Sequence, residues 1–156
     1  MADERNDDRL RPAVQAHTNA HVEKSSLQSI VRDVAATLKF PFAGISIINE
    51  THRTFVAKVG FAEASGARKD VICSHVIRTP GEILIVPDII KDSRFCDLPG
   101  IRASGARFYA GVALVDMRGY PFGVLCVADY RPHSAGINMH ILLEFARAAE
   151  RILARP

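Results

Sequence analysis

The spacing of apolar residues changes repeatedly along this chain, and each change predicts an element. Residues 1–22 mix Asp, Glu, Arg, Asn and Thr without a sustained apolar period, which predicts a mobile N-terminal tail. From Ser25 or Ser26, either of which can cap a helix start, Leu27, Ile30, Val31, Val34 and Leu38 fall at helical spacing up to Pro41. Ala43 to Ile48 and Thr54 to Val59 are β-branched and aromatic runs on either side of Asn49-Glu50-Thr51-His52, which is the pattern of a β-hairpin. Gly60 to Lys69 is small and polar, and Asp70 to Ile77 carries apolar residues at mixed spacing and reads as a short helix. Glu82 to Val86 is a strand halted by Pro87, whose missing N–H excludes a central ladder position.

Asp88 to Gly105 holds charges, a proline and two glycines, so it is expected to be a long loop with at most short helical turns. A loop of that length inside a compact domain is usually functional, and Phe95, Leu98 and Ile101 are there to anchor it, so it is expected to cap a cavity. Ala106 to Val115 and Phe122 to Asp129 are apolar enough to be buried on both faces, and they predict a second hairpin at the middle of the sheet. After the turn residues Pro132 to Gly136, the positions Ile137, Ile141, Phe145, Ala148 and Ile152 trace one face of a closing helix. The sum is an α+β fold, an antiparallel sheet flanked by N- and C-terminal helices with a long loop over a pocket.

Composition bounds the function classes. The 156 residues, 48% hydrophobic, suit one domain with its own core. There is no run of about 18 apolar residues to span a bilayer and the N-terminus is charged, so a cytoplasmic protein without a membrane partner is expected. The net charge is +3 with both signs interspersed, which lacks the basic block that grips nucleic acid. Cys73, Cys96 and Cys126 are too few and too scattered for a disulfide framework and read as reduced thiols.

The stretch from Val86 to Tyr130 carries Val86-Pro87-Asp88, Asp92 with Arg94-Phe95, Arg107-Phe108-Tyr109-Ala110-Gly111, Gly119, and Gly123-Val124-Leu125-Cys126-Val127-Ala128-Asp129. In this order these elements resemble the second half of a GAF domain, and the resemblance extends over about residues 25 to 154. It places the tail at 1–22 and the GAF domain at 23–156. It implies a non-catalytic sensory or regulatory module that binds a small molecule or a partner, the cofactor and ligand being unspecified. It also implies a homodimer through the terminal helices, to which the Ala-rich stretch Ala146-Arg147-Ala148-Ala149 would allow close approach. Family members usually precede an output domain; none follows Pro156, so the expectation is either a separate output protein or an excised or reduced module.

The family's pocket lies between the sheet and the loops, and the candidates carried over are Cys73, His75, Asp88, Arg94, Phe95 and Tyr109. Each has a structural rival. Asp88, after Pro87, can cap the following turn, and Arg94 can pair with Asp92 instead of offering its fork to an anionic ligand. Phe95, Phe108 and Tyr109 fit the core, with Tyr109 alone keeping a polar tip for a ligand. Cys73 and His75 are zinc-ligand types, but a zinc site needs three or four ligands and the folded part has neither CxxC nor HxxxH, so no metal is expected; haem on His75 is the remaining alternative.

The branches of the family separate on residues. The Asn-Lys-Phe-Asp-Glu motif of cyclic-nucleotide binders is absent, and Cys96 is followed by Asp97 where bilin-binding members have Cys-His. Free methionine sulfoxide reductases use one Cys to attack the sulfoxide and a second to resolve the sulfenic acid, and Cys73 with Cys96-Asp97 echoes them. The Ser-rich stretch of those enzymes is replaced here by RASGARFYAG. A sensory module is therefore the leading expectation, with that thiol enzyme and a ligand-free dimerisation scaffold as alternatives.

Overall fold

The computed structural model describes residues 21–153. Its elements in chain order are α1 (His21–Leu38), β1 (Phe42–Ile48), β2 (His52–Val59), β3 (Ser65–Ala67), α2 (Cys73–Val76), β4 (Ile83–Val86), α3 (Pro99–Ser104), β5 (Phe108–Val115), β6 (Pro121–Asp129) and α4 (Ile141–Leu153). Short 3₁₀ turns occupy Arg68–Asp70 and Ile89–Lys91. The strands form one antiparallel sheet in the order β3-β2-β1-β6-β5-β4, an α+β architecture.

Burial follows the pleat, whose successive side chains point to opposite faces. On one face Ala43, Ile45, Ile47, Phe108, Val112 and Leu125 meet Leu27, Val31 and Val34 of α1 and Leu142, Ala146 and Ala149 of α4. The two terminal helices thus share one face of the sheet. On the other face Phe42, Ile48, Tyr109, Val124, Cys126 and Ala128 meet α2 and the loops, including Ile72, Cys73, Ile89 and Phe95.

Most expected elements are present. β5 and β6 are buried almost end to end, as their apolar runs predict, but the sheet centre is the pair β1 and β6, and β5 lies next to the edge strand β4. The 88–105 segment is a loop carrying one 3₁₀ turn and α3. α1 begins at His21, upstream of the serines read as its start; residues 1–20 of the expected tail lie outside the described residues. α4 begins at Ile141 although the apolar period starts at Ile137, because Ile137 and Met139 pack on the core from the preceding turn. β3 lies in the stretch that is small and polar in sequence: its Ser-Gly-Ala pairs with β2 and carries no apolar signature.

Candidate functional site

The face opposite the terminal helices does not close on itself. A cavity of about 600 Å³ opens there, floored by Phe42, Tyr109, Cys126 and Ala128. One wall is the Gly60–Ala67 segment, continuing through Asp70 to Cys73, and the other is α3 with Ile101, Ala103 and Ser104.

The floor is shaped by two glycines. In the ladders Cys126 faces Gly44 on β1 and Gly111 on β5. A methyl at Gly44 would stand 2.4 Å from the Phe55 ring, and one at Gly111 would stand 2.8 Å from the Tyr109 hydroxyl. Phe55 and Tyr109 therefore lie over bare backbone, and the Tyr109 hydroxyl reaches the Cys73 Sγ at 3.2 Å. Ser46 Oγ approaches the same sulfur at 4.0 Å.

These contacts set the chemistry of the thiols. A hydrogen bond from Cys126 first, then the positive charge of Arg53 and the hydroxyls of Tyr109 and Ser46, lower the Cys73 pKa to about 6 against the opposing effect of burial. Cys126 is displaced well upward, by its hydrogen bond to Cys73 and by burial. Burial, followed by the charge on Cys73, holds Tyr109 well above its usual value, so Tyr109 is a neutral donor to the Cys73 thiolate.

Arg53 completes the cavity. On β2 it shares the cavity-side face with Phe55, whereas Ala57, beyond a β-bulge, packs on the helix side, and only 5% of the Arg53 surface is exposed. Its guanidinium lies 4.1 Å from the Phe55 ring centroid, and it passes over Gly66, where a methyl would stand 2.9 Å from Nη2. Nη2 is 3.7 Å from Glu63 on the cavity rim, beyond hydrogen-bond reach, and the buried Nε donates to no acceptor.

Of the six residues singled out from the sequence, Cys73 and Tyr109 come together at the cavity floor. The other four are outside it. Asp88 takes the Arg107 guanidinium in a two-pronged pair at 2.9 and 2.8 Å, which lowers its pKa chiefly through that hydrogen bond. Arg94 pairs with Asp92 at 3.0 and 2.8 Å and lies over the ring of Phe95, a core side chain that His75 meets edge-on at 4.8 Å. Cys96 is half-buried and does not line the cavity. Among the described residues no cluster of three or more His, Cys, Asp or Glu side chains is arranged to hold a metal ion. No described helix is long and apolar enough to cross a membrane.

Sequence reasoning missed Arg53, Ser46, Glu63 and Cys126. Arg53 had a partial signal, since it stands two residues from Phe55 and so shares its face, but the β-bulge that puts Ala57 on the other face breaks the period of two along the strand. Cys126 had none, because its meeting with Cys73 depends on which strand occupies the centre of the sheet.

A family model for the GAF domain matches residues 24–153. A cyclic di-GMP phosphodiesterase from Pseudomonas aeruginosa is 36% identical over 118 residues, which are 72% of this chain and 20% of that protein, so the chain spans about a fifth of its relative. Among solved structures, the GAF domain of an Acinetobacter phosphoenolpyruvate-protein phosphotransferase superposes with a TM-score of 0.69 at 21% identity, over 94% of this chain and 91% of that one. A type II free methionine-R-sulfoxide reductase from Thermoplasma acidophilum gives 0.68 at 14% identity, over 85% and 92%. At these identities the likeness to solved structures is one of fold.

Proposed function

Because this chain belongs to the GAF domain family, we propose that it is a regulatory module that takes up a small molecule in the cavity and relays occupancy through its terminal helices. The observation that carries this reading is the cavity itself. Its volume of about 600 Å³ is that of a small-molecule site, and it is mostly apolar with a few convergent polar groups. α3, which forms one wall, buries no side chain, so its ordering is available for a ligand to stabilise.

A route outward is built from hydrogen bonds. The Lys58 ammonium donates to the carbonyl of Phe61 on the cavity wall at 2.8 Å. The Lys58 backbone in turn exchanges two hydrogen bonds with the Gln28 side chain of α1, at 2.9 and 3.2 Å. A ligand that prefers one arrangement of the 60–67 segment then biases α1 by its differential affinity for that arrangement. In a homodimer through α1 and α4 this bias would alter the pairing of two copies and reach a separate output protein. Ala146 and Ala149 face the protomer's own core, so such a dimer would use the polar outer faces with Glu144, Arg147 and Arg151.

Limited proteolysis tests this reading: a bound small molecule is expected to protect the 60–67 and 99–105 segments and to raise thermal stability. Protection by no member of a broad metabolite set would leave a ligand-free scaffold as the better account.

The lowered Cys73 pKa favours a second reading, thiol reduction of a sulfoxide. The Cys73 thiolate would attack the sulfoxide sulfur, take up a proton, release the thioether and become a sulfenic acid; Cys126, which lines the same cavity, would condense with that group to a disulfide and water, and an external dithiol would restore both thiols. Turnover of free methionine sulfoxide with a dithiol reductant, lost in Cys73→Ser, would establish it.

A further inference from the structure

The cavity is lined by a guanidinium, that of Arg53, one of whose donors has no acceptor. Arg53 is 5% exposed, lines the cavity, and has a buried Nε with no acceptor, although burying a guanidinium donor without a partner is costly. Its neighbour Glu63 is half exposed on the rim and at 3.7 Å makes no hydrogen bond to it. Phe55 lies against the guanidinium and the bare backbone of Gly66 leaves room beside Nη2, so the terminal nitrogens are the prongs that a ligand in the cavity would meet. A planar pair of oxygens is the acceptor that matches such a fork.

The remaining charges narrow the class further. Among the described residues Arg53 is the single basic side chain lining the cavity, whereas Glu63 and Asp70 are both acidic and Cys73, with its lowered pKa, lies at the floor. A ligand with several negative charges would meet this acidic set, so one charge is favoured and phosphate chains are not. The body of the ligand would meet Phe42, Phe61, Ile72 and Ile101, which call for hydrocarbon.

We propose that the cavity is a site for a small organic acid with a single carboxylate, seated on Arg53 in place of Glu63, with its apolar body against Phe42, Phe61 and Ile101. This rests on the reading of the cavity as a small-molecule site. Glu63 is then a displaceable neighbour, competing for the guanidinium until the acid enters.

The test is a thermal-shift and calorimetric titration with benzoate, phenylacetate, hexanoate and indole-3-acetate, each set against its neutral amide. At least one acid is expected to bind at millimolar concentration or better while its amide does not. Arg53→Gln is expected to weaken that acid about tenfold to a hundredfold, the range of a charge-assisted hydrogen bond. Arg53→Lys should retain part of the affinity through its charge, and Glu63→Gln should increase it. Arg53→Gln must keep the far-ultraviolet circular dichroism of the wild type to be read; if it unfolds, Arg53→Lys and Glu63→Gln decide alone. Equal binding of acid and amide, unchanged affinity in the Arg53 and Glu63 variants, or no binding by any of the acids overturns the proposal. A neutral molecule that protects the 60–67 and 99–105 segments would remove this proposal and leave the small-molecule module standing.

Discussion

Cys73 and Asp88 show how one residue's surroundings decide its role. Cys73 has its pKa lowered to about 6 by Cys126, Arg53, Tyr109 and Ser46, against the effect of burial. Its alkylation by iodoacetamide is therefore expected to reach half its plateau rate near pH 6, to exceed that of Cys126 throughout, and to slow when the cavity is filled; peptide mapping reads each thiol separately. Asp88 is a structural counterpart. Its pKa is lowered by the hydrogen bond from Arg107 and by that residue's charge, so its stabilising effect is fully present above the unfolded-state value and is lost as the pH falls through the folded one, below about pH 4. Asp88→Asn should lower the unfolding midpoint at pH 7, and its difference from the wild type should shrink as the pH falls below about 4. Both residues stood out in the sequence, but only their neighbours separate them. Arg107 is 19 residues from Asp88, and Arg53, Ser46 and Cys126 reach Cys73 from three different strands.

At the scale of elements, turns and walls carry much of the specification. Gly60 and Gly119 both have positive φ, 84° and 85°, and a methyl at Gly119 would enter open space. At Gly60 the same methyl would stand 2.2 Å from the Pro41 carbonyl oxygen. Gly119→Ala is expected to cost about 1 kcal/mol from backbone strain alone. Gly60→Ala should cost clearly more in a denaturant titration and should also weaken ligand binding, since Gly60 leads into the Phe61–Ser65 wall. The sequence made the long elements legible for a physical reason: β5 and β6 are buried on both faces and read as continuous apolar runs, and α4 shows one apolar stripe. The cavity walls were only half legible. The 88–105 loop drew notice by its length, yet its first part is an Asp92–Arg94 pair around the core ring of Phe95, and mainly α3 reaches the cavity. The opposite wall, Gly60–Ala67, is short and polar and left no pattern to read.

On the scale of the whole molecule, the sheet separates two tasks. One face is sealed by α1 and α4, and the other is left open between loops, with β1 and β6 common to both. The hydrogen bonds from Phe61 through Lys58 to Gln28 connect the open face to the sealed one. Gln28→Ala is expected to leave ligand affinity within about threefold, because neither Gln28 nor Lys58 lines the cavity and the coupling carried is small, while removing the ligand's effect on hydrogen exchange in α1. A loss of affinity with unchanged α1 protection would place the relay elsewhere. The central claim, that the cavity takes up a small molecule, is met most directly by native mass spectrometry of the protein after incubation with a metabolite extract, beside the variant Ala103→Trp. Ala103 is exposed on α3 and lines the cavity, so an indole there can fill the space without disturbing the core. The account predicts a retained mass on the wild type that is absent from Ala103→Trp; a bare protein mass for both, or the same adduct on both, would contradict it.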